Sequence, residues 1–178
     1  FDKNGSLWIG TYHDGLYLYD SYLSRFQTHP VSADGTQIVS AFADKNGSLI
    51  VGTESGCLLE YDNTGDLVER TELKDARGNP IVIKSLYYDE GNDALWIGTL
   101  RNGLYKMKGG RAVSAGLEAL GVINGIGKAS GHGLWLLSDR GGGLNRYNPV
   151  SGRTESFPIR EKLHPIIGRS KCMHLLPI

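Results

Sequence analysis

The chain has 178 residues, 25 of them glycine and 6 proline, and its 19 basic and 19 acidic side chains cancel. With no basic stripe and no block of like charge, nucleic acid is not an expected partner. No apolar run reaches the roughly 18–20 residues of a spanning helix, and two cysteines, Cys57 and Cys172, are too few for a disulfide framework and read as small buried hydrophobes.

From the N-terminus, the turn Asp2-Lys3-Asn4-Gly5 leads into the word LWIGT at Leu7–Thr11. The word returns as LIVGT at Leu49–Thr53, as LWIGT at Leu95–Thr99 and as LWLLS at Leu134–Ser138. Its first leucines are 42, 46 and 39 residues apart, which is the spacing of a repeat architecture. Turn residues precede each copy: Asp44-Lys45-Asn46-Gly47, Glu90-Gly91-Asn92-Asp93 and Ser130-Gly131-His132-Gly133. Asn-Gly favours the positive φ angles of a tight hairpin.

Apolar stretches at Ile38–Ala43, Ile81–Tyr88 and Val122–Ile126 come before those turns. A third strand is expected after each word, at Leu16–Tyr19, Leu58–Tyr61, Leu104–Met107 and Leu144–Tyr147. A more polar fourth follows at Arg25–His29, Leu67–Leu73, Arg111–Ser114 and Arg153–Pro158. Val113–Leu120 holds at most one or two helical turns. Each unit is thus a four-stranded meander.

Four-stranded units of this length predict an all-β chain, a β-propeller of four-stranded antiparallel blades. About four blades are expected: strands within 1–29, whole blades at 38–73, 81–114 and 122–158, and the first strand of a further or closing blade at 171–176. Lys171–Leu176 has two options, completing a ring by pairing with Leu7–Thr11 or continuing an arc of a larger ring. The first strands, near the hub, are expected to be the most apolar along with the second. Residue 1 is not Met and falls inside a repeat, so the chain is expected to be a piece of a longer polypeptide.

The phrase DKNGSLWIGTYHDGLYLYD at Asp2–Asp20 and the phrase GGGLNRYNPVSGRTESF at Gly141–Phe157 resemble the two-component regulator propeller repeat. Departures are Ile50 in place of tryptophan, Leu137-Ser138 in place of Gly-Thr, and Cys57 where the first copy has Gly15. The resemblance implies the periplasmic sensor region of hybrid two-component histidine kinases of Bacteroidetes. In such proteins tandem propellers precede a β-sandwich, a membrane span and a kinase, and many respond to oligosaccharides. It also implies a seven-bladed ring, which at about 40–45 residues per blade needs roughly 300 residues. Neighbouring propeller and β-sandwich domains of the same parent chain, and a dimeric parent, are the implied partners.

Trp8, Trp96 and Trp135 share one repeat position, with Ile50 the fourth occupant. That pattern reads as blade-to-blade packing rather than sugar stacking, because a shape-filling aliphatic residue replaces indole. Burying such a side chain removes roughly 150–250 Å² from water, or ~4–6 kcal/mol as an upper bound. Tyr19, Tyr61 and Tyr147 recur in the third strand for the same reason.

Asp2-x-Asn4-x-Ser6 has some likeness to a calcium loop, but its twelfth position is His13 instead of glutamate. Gly141-Gly142-Gly143 precedes a strand rather than the helix that a phosphate cradle requires. The five histidines show no i, i+4 zinc spacing. No metal, cofactor or catalytic residues are therefore assigned.

What differs between repeats is the loop after each word, and variable loops on a rigid scaffold carry binding residues. The candidate ligand-binding residues are Tyr12, His13, Arg101, Asn102, Asp139 and Arg140. These loops and the connections from fourth to first strands are expected on one face. The expected function is an extracytoplasmic, periplasmic ligand-sensing propeller segment of a two-component sensor, carbohydrate-responsive and without enzyme activity of its own. The alternatives are a propeller-scaffold lyase or hydrolase and a protein–protein interaction scaffold.

Overall fold

The computed structural model describes residues 7–10, 16–20, 25–29, 38–141 and 143–158. Strands β1 (Leu7–Gly10), β2 (Leu16–Asp20) and β3 (Arg25–His29) form the first blade. The second is β4 (Val39–Lys45), β5 (Ser48–Thr53), β6 (Cys57–Tyr61) and β7 (Leu67–Glu72). The third is β8 (Ile83–Asp89), β9 (Ala94–Thr99), β10 (Leu104–Lys108) and β11 (Arg111–Gly116). The fourth is β12 (Ile123–Lys128), β13 (Leu134–Ser138), β14 (Gly143–Asn148) and β15 (Arg153–Pro158). Each is an antiparallel meander, and among the described residues the one helical piece is a 3-10 turn at Glu118–Leu120. The expected strand at 171–176, and with it the choice between closing and continuing, lies outside the described residues.

Local chemistry sets the hairpins. Asn46 (φ 53°) and Gly47 (φ 94°) take the two positive angles of a mirror-image turn between β4 and β5. Asp44 Oδ1 accepts from the Gly47 N–H at 3.0 Å and tightens it. Each inner strand among the described residues, β4, β8 and β12, has a one-residue bulge, between Val39 and Ala41, Ile83 and Ser85, and Ile123 and Gly125. A bulge of this kind bends and twists the strand locally.

The core lies between blades. Ile50 and Leu58 of the second blade meet Ile83, Leu95 and Ile97 of the third. Trp96 and Leu104 of the third meet Ile123, Leu134 and Tyr147 of the fourth. Trp8 of the first packs on Leu49, Val51 and Tyr61 of the second. One face of each blade therefore covers the opposite face of the next, as the repeated tryptophan suggested. Trp135 instead meets Phe157 of its own blade, edge to face at 5.3 Å between centroids.

The inner strands touch across blades. Ser40 Oγ donates to the Ile83 carbonyl at 2.6 Å, and Ser85 Oγ to the Ile123 carbonyl at 2.7 Å. The glycine of the repeat word makes room for this approach. A Cβ on Gly98 would lie 2.7 Å from the Ile123 carbonyl oxygen and 2.8 Å from its Cγ2. Burial is deepest in the second strand. All of β9 is buried, whereas β4 is mostly half-buried and its Phe42 is 51% exposed. An inner strand has no further strand on its hub side, so the second strand is the better covered. Outer strands β7 and β11 are largely exposed, as expected of the polar fourth strand.

Candidate functional site

The loops after the repeat word are held by its last residue. Thr99 is fully buried; its Oγ1 donates to the Gly103 carbonyl at 2.8 Å and accepts from the Asn102 N–H at 2.9 Å. Thr53 Oγ1 does the same work in the second blade, accepting from the Cys57 N–H at 2.9 Å. In the fourth blade Ser138 replaces threonine. Its hydroxyl donates to the Arg140 carbonyl and accepts from Asn145 Nδ2 at 2.9 Å. Asn145 Oδ1 in turn accepts from Ser156 Oγ at 2.6 Å, so the buried amide is satisfied at both ends.

Each loop is also laced to the connection that leads into its own inner strand. The N–H groups of Glu54, Leu100 and Asp139 donate to the carbonyls of Ile38, Val82 and Val122 at 3.0, 3.0 and 3.1 Å. Variable side chains thus sit on backbone fixed at both ends, and the loops and connections share one face as expected.

On that face the third and fourth blades enclose a cleft of about 250 Å³ lined by Leu100, Arg101, Glu118, Gly121, Val122, Asp139 and Arg140. Three of the six candidate residues, Arg101, Asp139 and Arg140, converge there. Asn102 does not line the cleft; its N–H is taken by Thr99. Tyr12 and His13 lie outside the described residues. Asp139 also has a structural task, since its Oδ1 accepts from the Val122 N–H at 2.7 Å. The Arg140 N–H donates to the Leu120 carbonyl at 3.2 Å. Glu118 enters from the 3-10 turn, which repeat alignment does not flag because the other blades supply no equivalent among the described residues.

Two guanidinium groups and two carboxylates on the rim of a small cleft offer dense hydrogen-bonding capacity. No activated nucleophile and base are paired in it. Among the described residues no three His, Cys, Asp or Glu side chains converge to hold a metal ion. Cys57 is a free, buried thiol to which Arg70 donates at 3.5 Å.

A second cleft, of about 290 Å³, opens between the second and third blades at the other end of the strands. Its floor is apolar: Ile50, Leu58, Leu95 and Met107. On its rim Lys45 Nζ meets Glu60 at 2.9 Å, and Tyr88 Oη donates to Asp93 Oδ1 at 2.7 Å. The Asp93 carboxylate pushes the Tyr88 phenol up to about 12. No expectation from the sequence placed a site here.

The arrangement of blades is similar to the extracellular domain of a B. thetaiotaomicron protein assigned as a hybrid two component system. The TM-score is 0.72 at 19% identity, over 91% of this chain and 22% of that one. A second such extracellular domain from the same organism gives 0.60 at 18% identity, over 87% of this chain and 20% of that one. Virginiamycin B lyase from Staphylococcus aureus gives 0.71 at 15% identity, over 93% and 55%. No family model matches the chain, and no curated protein matches it significantly. The chain spans about a fifth of the length of the two-component domains it resembles. At these identities the likeness is one of fold: the chain is an all-β array of propeller blades.

Proposed function

We propose that the chain is a ligand-sensing propeller segment from the extracytoplasmic, periplasmic part of a two-component sensor, with no catalytic step of its own. The observation that carries this reading is its likeness, over 91% and 87% of its length, to two extracellular domains of hybrid two component systems. The cleft of Arg101, Glu118, Asp139 and Arg140 supplies a place for a polar ligand. An oligosaccharide is the proposed class, since its hydroxyls both donate to carboxylates and accept from guanidinium groups. Because the cleft spans two blades and a connection, a bound ligand favours one relative arrangement of them and of adjoining domains. Neighbouring propeller and β-sandwich domains in a dimeric parent would transmit that bias as a population shift.

Calorimetry of the intact ectodomain against a glycan library tests this reading. The expected result is saturable binding of one glycan class, lost in Arg101→Ala and Arg140→Ala. No binding to any oligosaccharide, with signalling intact in cells, would refute the carbohydrate reading. The likeness to a lyase supports a second reading, turnover on the same scaffold. Product formation from an unsaturated-product assay, where the sensor reading expects none, separates the two.

A further inference from the structure

The interface between the second and third blades lacks an aromatic pair that its neighbours have. Between the third and fourth blades Trp96 meets Tyr147 edge to face, with 6.3 Å between centroids. Between the first and second, Trp8 packs on the cluster that contains Tyr61. Strand register shows which residues are equivalent. Trp96 is opposite Lys106 and Ile50 is opposite Glu60; Tyr147 is opposite Leu134, Tyr61 opposite Leu49, and Met107 opposite Leu95. At the remaining interface the tryptophan position is Ile50 and the tyrosine position facing it is Met107. Both aromatic partners are replaced together, and the cleft of about 290 Å³ lies where they would stand.

The aliphatic pair thus leaves a solvent-open cleft over an apolar floor where the other interfaces place aromatic rings. Its volume is close to the lower end of small-molecule sites, about 300–1,000 Å³. Shape-matched apolar cavities left by large-to-small replacement take up aromatic rings.

The rim gives the ligand a charge. Glu60 occupies the place of Lys106, whose Nζ lies 5.3 Å over the Trp96 ring. Lys45 is engaged by Glu60, and Lys108 Nζ donates to the Asn92 carbonyl at 2.7 Å. With Lys45 paired to Glu60, the lining leaves two carboxylates, Glu69 and Asp93, which accept from the neutral hydroxyls of Thr71 and Tyr88, against the single ammonium of Lys108. We propose that the cleft between the second and third blades binds a small aromatic ligand with a cationic arm. The ring lies on Ile50 and Met107, and the ammonium faces Glu69 and Asp93. This site is separate from the polar cleft on the opposite face and does not depend on the sensor reading.

The probe is tryptamine, followed by NMR of the chain carrying ¹³C-methyl methionine. Met107 is in the cleft, and the loss of its resonance in Met107→Leu assigns it. Tryptamine is expected to shift the Met107 methyl saturably. Indole-3-acetate, with the same ring and the opposite charge, is expected to bind several-fold more weakly. Ile50→Trp refills the cleft and is expected to abolish the shift. Glu69→Lys, on an exposed outer strand, keeps the test decisive should Ile50→Trp not fold, and is expected to weaken tryptamine roughly fivefold. The proposal is overturned if Met107 does not respond or if Ile50→Trp binds as before. Equal binding of indole-3-acetate, or an unaltered affinity in Glu69→Lys, overturns the cationic arm.

Discussion

Replacing Gly98 by alanine adds a single methyl group where the inner strand of the fourth blade crosses the third. The new Cβ would lie 2.1 Å from Ser85 Oγ, 2.7 Å from the Ile123 carbonyl oxygen and 2.8 Å from Ile123 Cγ2. Two of those neighbours belong to the next blade and one is backbone, so side-chain rotation alone does not relieve the contact. Overpacking a tight core costs about 1–3 kcal/mol, and the carbonyl contact puts Gly98→Ala at ~3 kcal/mol. At roughly 2–4 °C per kcal/mol for a chain of this size, the melting temperature falls by ~6–12 °C.

The same change elsewhere grades the effect. On Gly52 the nearest atom is a side-chain methyl, Ile83 Cγ2 at 2.6 Å, so ~1–2 kcal/mol is expected. On Gly10 it is Val39 Cγ1 at 3.3 Å. There the loss is small and is offset by the ~0.4–1 kcal/mol that alanine gains through a less flexible unfolded chain. The fourth blade suggests the rescue, since Leu137 at the word's glycine position pairs with Gly125 in place of serine. Ser85→Gly with Gly98→Ala is therefore expected to recover ~1 kcal/mol in a double-mutant cycle. Urea unfolding of the five variants, Ser85→Gly alone included, measures this. Equal stabilities of Gly10→Ala and Gly98→Ala would refute the close-approach argument.

Three further outcomes follow from the sites. Thr99→Val removes a buried hydroxyl that serves two partners and is expected to cost ~1–3 kcal/mol, with faster hydrogen exchange at the Asn102 amide. Asp139→Asn keeps an oxygen for the Val122 N–H, while Asp139→Ala does not. Alanine is therefore expected to raise amide exchange at Val122 and asparagine to leave it near the parent value. Tyr88 is expected to titrate at about 12 by ultraviolet absorbance, and Asp93→Asn to bring it down toward the ordinary phenol value. Because the folded value is raised, this bond stabilises fully below pH 10, and its contribution is lost as pH climbs through 12. A Tyr88 titration indifferent to Asp93 would contradict the hydrogen-bonded geometry.

The strands were legible because each blade is local. A meander needs only alternating apolar residues and turn chemistry, and Asn46-Gly47 states its own conformation. The loop face was legible for a related reason, since the residues that break a repeat stand out against those that keep it. Which residues meet which between blades was not, beyond the packing role of the repeated tryptophan. That Ile50 faces Met107 depends on how the second strand of one blade meets the third strand of the next, more than fifty positions away. Ile50 alone reads as a harmless substitution, and only the paired loss at Met107 makes a cleft. The role of Thr53 and Thr99 was hidden too, because a hydroxyl that clamps a loop has the same signature as a β-branched strand residue. Glu118 joined the polar cleft from a 3-10 turn that has no counterpart among the described residues of the other blades.

Each blade meets its neighbour through unlike faces, a heterologous contact that gives the array a direction around the hub. A dimer axis can balance a change at one interface with its mirror in the partner copy; a directional stack cannot. What fills the wedge between two blades sets the angle of that step alone. An indole against a phenol fills one wedge, and an aliphatic pair beside a gap fills the next, so the two steps are packed differently. The wedge bounded by Ile50 and Met107 is the one left partly open, so an occupant there would bear on the angle of that step and of no other.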